Sequence, residues 1–289
     1  CKILDERISQ QQDGIIGYQI CHDLPSILKI YAMRKKAVGL LGNAKGSAKP
    51  IPFVEDTCVP PEHLADYITE FRALLDQHGL SYGMFGHVDA GVLHVRPALD
   101  LCDPEQVKLF KTISDQVVEL TAKYGGLIWG EHGKGMRSCY GERFFGEALW
   151  HELRYIKQLF DPHNRLNPGK ICTPLPLKED PTQESKQQLY PITSQLRADF
   201  DRQIPVQLRE YYSGAMNCNG NGLCFNFDVH STMCPSMKIS ANRTFSPKGR
   251  AALIREWLRL LSEQNVSPEE LNFHQPQKTK LIDLVEKVR

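Results

Sequence analysis

No apolar run in the 289 residues approaches the roughly 20 that a helix needs to cross a bilayer. The opening CKILDERISQQQ also lacks the basic-then-apolar order of a secretory signal. Together these absences predict a soluble, cytoplasmic chain with no transmembrane segment. Neither sign of charge is in excess: 35 Lys and Arg stand against 34 Asp and Glu, for a formal net charge of +1. That balance gives no long-range field for nucleic acid or an anionic membrane, so the expected partner is a small molecule. Internal repeats are missing too. Nine cysteines, an odd number, are scattered except for Cys218, Cys224 and Cys234, which argues against a disulfide framework and for metal or iron–sulfur ligation at that group.

What the chain does have is enough apolar material, 41% of residues, to bury a core. LPSILKIYAMRKKAVGLLG spaces Leu24, Ile27, Leu28, Tyr31, Val38 and Leu41 mostly as a helix does, and Gly42, Gly46 and Pro50 end it. IPFVEDTCVP predicts a short strand and turn. Pro60 and Pro61 then open a helix with Leu64, Ile68, Phe71 and Leu75 on one face, and Gly79 is placed to cap it. LSYGMFGHVDAGVLHVRP holds two β-prone runs split by Asp-Ala-Gly, a hairpin pattern. A helix over 104–124 follows, with Phe110, Ile113 and Val117 at its period. This order predicts an α+β fold, an antiparallel sheet with helices on one face. Beyond Pro174 the sequence turns polar and proline-bearing, which predicts a domain over 1–174, a linker or extended wrap over 175–210 and a mainly helical domain over 211–289. SPKGRAALIREWLRLL in the last part reads as a helix with Ser246 as N-cap and Pro247 in its first turn.

Chemistry concentrates in GHVDAGVLH, where His87 and His94 flank a turn. On one straight strand their odd separation would send them to opposite faces, so only a fold at Asp89-Ala90-Gly91 brings them together. Glu131 and His132 lie between glycines in GGLIWGEHGKGMRS, an acid and a base placed to face a bound molecule. The residues alone leave each piece open. The histidines suit a metal site or a hydrogen-bonded pair, and Glu131 suits a ligand role or an ion pair with Lys134. DPHNRLNPG suits a helix end followed by a proline turn.

Taken in order, GHVDAGVLH, GEHGKG and FDPHNRLNPGKI resemble the C-terminal cap domain of FAD-linked oxidases. These are the vanillyl-alcohol-oxidase-like flavoproteins that include D-lactate and D-2-hydroxyglutarate dehydrogenases, and the resemblance covers about residues 20–174. MNCNGNGLCFNFDVHSTMCPS resembles the ferredoxin-type iron–sulfur segment fused to such dehydrogenases in large bacterial proteins. The resemblance implies oxidation of a D-2-hydroxyacid to the 2-oxoacid, with D-2-hydroxyglutarate favoured and D-lactate next, through FAD and a 4Fe-4S cluster. It implies a divalent ion, zinc foremost, held by His87, His94 and Glu131, with an open coordination position. His132 then resembles the general base. Asn167, with Lys170 second, is expected at the flavin edge, where Glu131 also borders the cofactor. Arg34 resembles an arginine that fixes a substrate carboxylate. Val38 and Arg96 depart from the family pattern, although Arg96 is suited to a distal carboxylate; Lys49 is a further candidate for the substrate.

Against the ferredoxin spacing, Cys218 and Cys224 keep the outer positions but Asn221 stands in the middle, and Cys234 precedes Pro235 after a longer gap. Three thiolates fall short of the eight or so that two four-iron clusters take. No glycine-rich flavin-diphosphate loop is found either. The expectation is therefore a segment of a larger enzyme whose remainder supplies the FAD domain and further cluster ligands, inactive in isolation, with an unassigned electron acceptor. A non-catalytic zinc-binding or subunit-interaction module is the rival reading. A zinc hydrolase is a third, disfavoured by the cysteines.

Overall fold

The computed structural model describes residues 6, 8–10, 19–42, 44–177, 188–194, 196–218, 220 and 222–266. Asn221, part of the expected linker and the end of the expected third domain lie outside them. The chain divides into two compact units, residues 1–43 and 44–289.

In the first unit, α1 (Leu24–Leu41) starts where the sequence places it: Asp23 accepts the Ser26 N–H at 2.9 Å and Pro25 sits in the first turn. Leu24, Leu28, Ile30, Tyr31 and Met33 are exposed along it, as is Arg34.

The second unit is built on an antiparallel sheet of β1 (Lys49–Pro50), β2 (Thr57–Cys58), β3 (Tyr82–His87) and β4 (Val92–Leu99). Central β4 pairs with β3 along one edge; on the other it meets β2 at its start and β1 at its end. Its alternation decides the layout. Leu93, Val95 and Leu99 are buried in a core with Tyr67, Phe71 and Leu75 of α2 (Leu64–Gln77) and Phe110, Ile113 and Val117 of α3 (Pro104–Lys123). Burying each such side chain is worth about 1.5–3 kcal/mol. Both helices therefore cover one face of the sheet, as expected for the α+β class, and His94 and Arg96 point to the other. Inside the core, Tyr67 meets the Thr121 hydroxyl at 2.8 Å, and burial pushes the phenol up to about 12, despite the opposing Thr121 hydrogen bond.

Asp103 caps α3 through the Glu105 N–H, with Pro104 in the first turn. Next comes α4 (Gly141–Phe160), interrupted at Gly146, whose φ of 69° and ψ of 168° are not helical. The described part of the stretch expected to be a linker is packed. Ile192 joins the main core, Tyr190 N–H bonds Gly169 O, and Arg202 of the turn after α5 (Arg197–Asp201) reaches Leu101 O. The remainder contributes α6 (Val206–Tyr211), α7 (Ser213–Met216), α8 (Pro235–Ser240) and α9 (Pro247–Glu263). Ser246 caps α9 through the Gly249 N–H, as the sequence predicts. Arg255 forks onto buried Asp201, fastening α9 to α5. Among the described residues, no helix is long and apolar enough to cross a membrane.

Candidate active site and metal centre

The two histidines share a face because of the turn between them. Val88–Ala90 makes one turn of 3-10 helix and Gly91 closes it at φ 66°, where a Cβ would lie 1.9 Å from Val59 O. Only glycine fits there. The resulting register sets His87 opposite Val92 and Phe85 opposite His94. His87 and His94 are thus diagonal neighbours on the face away from the helices, their rings edge to face at 5.8 Å between centroids.

Glu131 and His132 arrive from another stretch and are fixed by a residue the sequence reading left unassigned. Asp56, fully buried, accepts the Glu131 N–H through Oδ1 at 2.8 Å and the His132 N–H through Oδ2 at 2.9 Å. Its carbonyl accepts the Gly130 N–H at 2.8 Å. Arg137 stands 3.4 Å from Oδ2 and also donates to Glu55 O. Gly130 leaves room for this approach, since a Cβ there would sit 3.1 Å from Asp56 Oδ1. Asp56 itself takes a φ of 71°, which turns consecutive acids in different directions.

The outcome is convergence on one carboxylate oxygen. Glu131 Oε1 lies 2.8 Å from His94 Nε2, 3.3 Å from His132 Nε2 and 3.5 Å from His87 Nε2. Donor atoms of Asp56, His94, Glu131 and His132 all lie within 4.8 Å of one another. His94 and His132 stack nearly parallel, 4.8 Å apart at 13°. His94 is buried, and burial together with the neighbouring His132 moves its imidazole below the usual range in spite of Glu55 and Glu131. That shift favours the neutral ring, the form in which an imidazole can ligate. Behind the rings lies Glu55, buried and gripped by Arg96 with Nε at 2.5 Å and Nη2 at 3.0 Å. His87, His94, Glu131 and His132 are thus gathered, and Arg96 borders them through Glu55.

Other expected residues stand elsewhere. Lys49 pairs opposite Leu99, five positions along β4 from His94, and donates to Ala44 O at 2.6 Å. Arg34 belongs to the first unit. Lys134 does not pair with Glu131; its ammonium sits over the rings of Phe145, at 4.0 Å, and Trp129, at 5.4 Å. Asn167, at φ 50°, is exposed on a loop tied by Asp161, which accepts the Arg165 and Leu166 N–H groups and pairs with Lys157 at 2.7 Å. Lys170 is half-buried beside it. Lys157 foremost, then those N–H groups, outweigh burial and hold the Asp161 carboxyl at about 2. This loop is therefore the proline turn that the residues suggest, whatever else it does.

Two of the three cysteines, Cys224 and Cys234, contact the start of α9, whereas Cys218 contacts Arg197 of α5. Cys224 Sγ accepts the Lys248 N–H at 3.4 Å, and Cys234 Sγ lies 3.1 Å from Arg250 Nη2. Arg197 reaches Cys218 O at 3.4 Å. Burial raises the Cys234 thiol, but the Met237 N–H, Ser236 and Arg250 overcome it and the net shift is downward.

Sequence reasoning missed Glu55, Asp56 and Arg137. The only signal was two adjacent acids directly after the apolar IPFV.

The chain is 74% identical over 288 residues to D-2-hydroxyglutarate dehydrogenase of Haemophilus influenzae, covering 100% of this chain and 27% of that protein. It is 65% identical over 277 residues to the enzyme of the same name from Escherichia coli, covering 96% of this chain and 26% of the other. A D-lactate dehydrogenase of Archaeoglobus fulgidus is 34% identical over 132 residues, 45% of this chain and 29% of its own. The chain thus spans about a quarter of the length of the first two relatives. A family model described as FAD linked oxidases, C-terminal domain, matches residues 3–171, more than half of the chain, and to that family the chain belongs.

Proposed function

We propose that this chain forms the substrate-side part of a FAD-dependent dehydrogenase that oxidises a D-2-hydroxyacid to the 2-oxoacid. D-2-hydroxyglutarate is the favoured substrate and D-lactate the next. The observation that carries this reading is the meeting of three imidazole Nε2 atoms at Glu131 Oε1 on the helix-free face of the sheet. The names of the relatives support the substrate class.

The donor set fits a divalent cation of the zinc type: imidazoles and a carboxylate from separate elements, set by backbone hydrogen bonds. His87, His94 and Glu131 would hold it, and when bound it would supply charge stabilisation for a developing alkoxide. Asp56 is better placed as the anchor of the Glu131–His132 turn than as a ligand, since both its oxygens already accept backbone N–H groups. His132 takes the hydroxyl proton at Nε2. FAD, when bound, supplies the two-electron acceptor; Asn167 and Lys170 would face it, with Glu131 at its border. Arg34, Arg96 and Lys49 are assigned to substrate carboxylates, Arg96 while still paired with Glu55. Cys218, Cys224 and Cys234 are assigned to an iron–sulfur cluster completed by ligands outside this chain; the Lys248 N–H toward Cys224 suits a thiolate, while Cys234 Sγ meets both the Arg250 guanidinium and the Phe245 carbonyl. Electrons pass onward to an unassigned acceptor, and the setting is cytoplasmic.

Steady-state assays of the full-length protein with D-2-hydroxyglutarate and D-lactate, alongside metal analysis, test this. His132→Ala is expected to lower kcat by about 10²–10⁴-fold, the range for loss of a general base. His94→Ala and Glu131→Gln should also lose the metal. Turnover and metal content unchanged in all three variants would favour a non-catalytic module.

A further inference from the structure

Nε2 atoms of His94 and His132 face one carboxylate, Glu131; their opposite nitrogens face a second. His132 Nδ1 lies 3.5 Å and His94 Nδ1 3.9 Å from the same atom, Glu55 Oε1. The stacked rings are thus bracketed by two acids from different parts of the chain. Glu55 is buried, and Arg96 grips both its oxygens, so its oxygen is fixed in place. His94 Nδ1, meanwhile, is buried without a hydrogen-bond partner. The 2.8 Å contact between His94 Nε2 and Glu131 Oε1 needs a proton between them, so a cation bound at Nε2 would send that proton to Nδ1, where the carboxylate oxygen within reach is Glu55 Oε1.

From this we infer that Glu55 is a positioning residue that, once a cation is bound, accepts the Nδ1–H of both imidazoles and thereby keeps both Nε2 lone pairs for the Glu131 side. A neutral imidazole carries one proton, so a proton held at Nδ1 leaves Nε2 bare. At His94 a bare Nε2 can ligate. At His132 a bare Nε2 can receive the substrate's hydroxyl proton, giving an imidazolium whose Nδ1–H still points at Glu55. Arg96 neutralises the buried acid, so the pair adds no net charge behind the site. Nothing in this role requires Glu55 to touch substrate or metal. It rests on the metal-assisted reading proposed above, and it adds a residue and a tautomer to it.

The test is long-range ¹⁵N–¹H spectroscopy of the histidine rings in the full-length protein, before and after zinc is added, with zinc affinity measured by chelator competition. In zinc-loaded wild type, His94 and His132 should both show a protonated Nδ1 and an unprotonated Nε2. Glu55→Gln should weaken zinc by about 10- to 100-fold, the usual cost of losing an outer-shell carboxylate, and lower kcat with little change in KM. Glu55→Asp, which keeps a carboxylate, should stay nearer the wild-type ring pattern than Glu55→Gln; a merely structural role for the Glu55–Arg96 pair would make the shorter side chain the worse of the two. A His132 proton found at Nε2 in loaded wild type overturns the inference without any variant. Zinc affinity and ring pattern unchanged in Glu55→Gln overturn it as well. Absence of zinc binding by wild type would instead remove the reading beneath it.

Discussion

At the scale of single residues, the site depends on groups that never meet a ligand. Asp56 is the clearest: buried, at positive φ, it accepts the backbone of Glu131 and His132 and faces Arg137. Asp56→Ala would strand two N–H groups and a largely buried guanidinium, and breaking a buried ion pair from one side costs about 3–5 kcal/mol. Urea unfolding should show that loss directly. Asn at the same position should cost less, because its carbonyl still accepts one N–H. Asp56 and Glu55 were not legible in the sequence, since two acids after IPFV look like a solvated turn. What makes Asp56 structural is a positive φ that only tertiary contacts impose, and what holds Glu55 is Arg96 from a distant strand. The histidines and Glu131 were legible because their spacing carries a family pattern. Even so, the Asp89-Ala90-Gly91 turn was needed to place His87 and His94 on one face. Arg96 was readable as a carboxylate binder, but not that the carboxylate would come from Glu55.

At the scale of elements, apolar periodicity marks α1 and α3 and the Ser246-Pro247 pair marks α9, because these signals are local; the Asp23 and Asp103 caps are seen only in the structure. The hairpin was equally local. α4 went unread: Gly141 and Gly146 suggest loop, and the helix is indeed interrupted at Gly146. Gly141 has no room for a side chain, since a Cβ there would lie 2.4 Å from the Trp150 ring. The short β1 and β2 are strands only because β4 lies beside them, a non-local cause. Two outcomes belong to this scale. Gly91→Ala should destabilise the hairpin and separate the histidines, as a methyl group would strike Val59 O; loss of metal affinity together with a lower melting temperature is the expected readout. The 161–171 loop should open in acid. Asp161 titrates near 2 in the folded chain against about 3.9 in the unfolded one, so its contribution is complete above the higher value and is lost as pH falls through the lower. Amide exchange at Arg165 and Leu166 should accelerate over that interval.

At the scale of the whole molecule, the sheet divides labour between its faces. One carries the core with α2 and α3; the other, free of those helices, carries the acids and imidazoles. The boundary near residue 175, drawn from composition, coincides with a change in texture that packing does not respect. Ile192 and Arg202 bind the following segment to the main core, and Arg255 with Asp201 binds α9 to that segment. Arg255→Met should therefore loosen α9, at a cost of about 3–5 kcal/mol for a buried acid left without its partner. A polar, proline-rich stretch can wrap as well as link, and composition does not separate the two.

Cobalt(II) titration followed in the visible spectrum measures the central claim most directly, because cobalt in a nitrogen–oxygen site of low coordination number absorbs far more strongly than the hexaaquo ion. One equivalent should bind with an intense spectrum that D-2-hydroxyglutarate alters and that His94→Ala and Glu131→Gln abolish. A spectrum of the aquo ion throughout, or one indifferent to both substitutions, would contradict a cation held by Glu131 and the hairpin histidines.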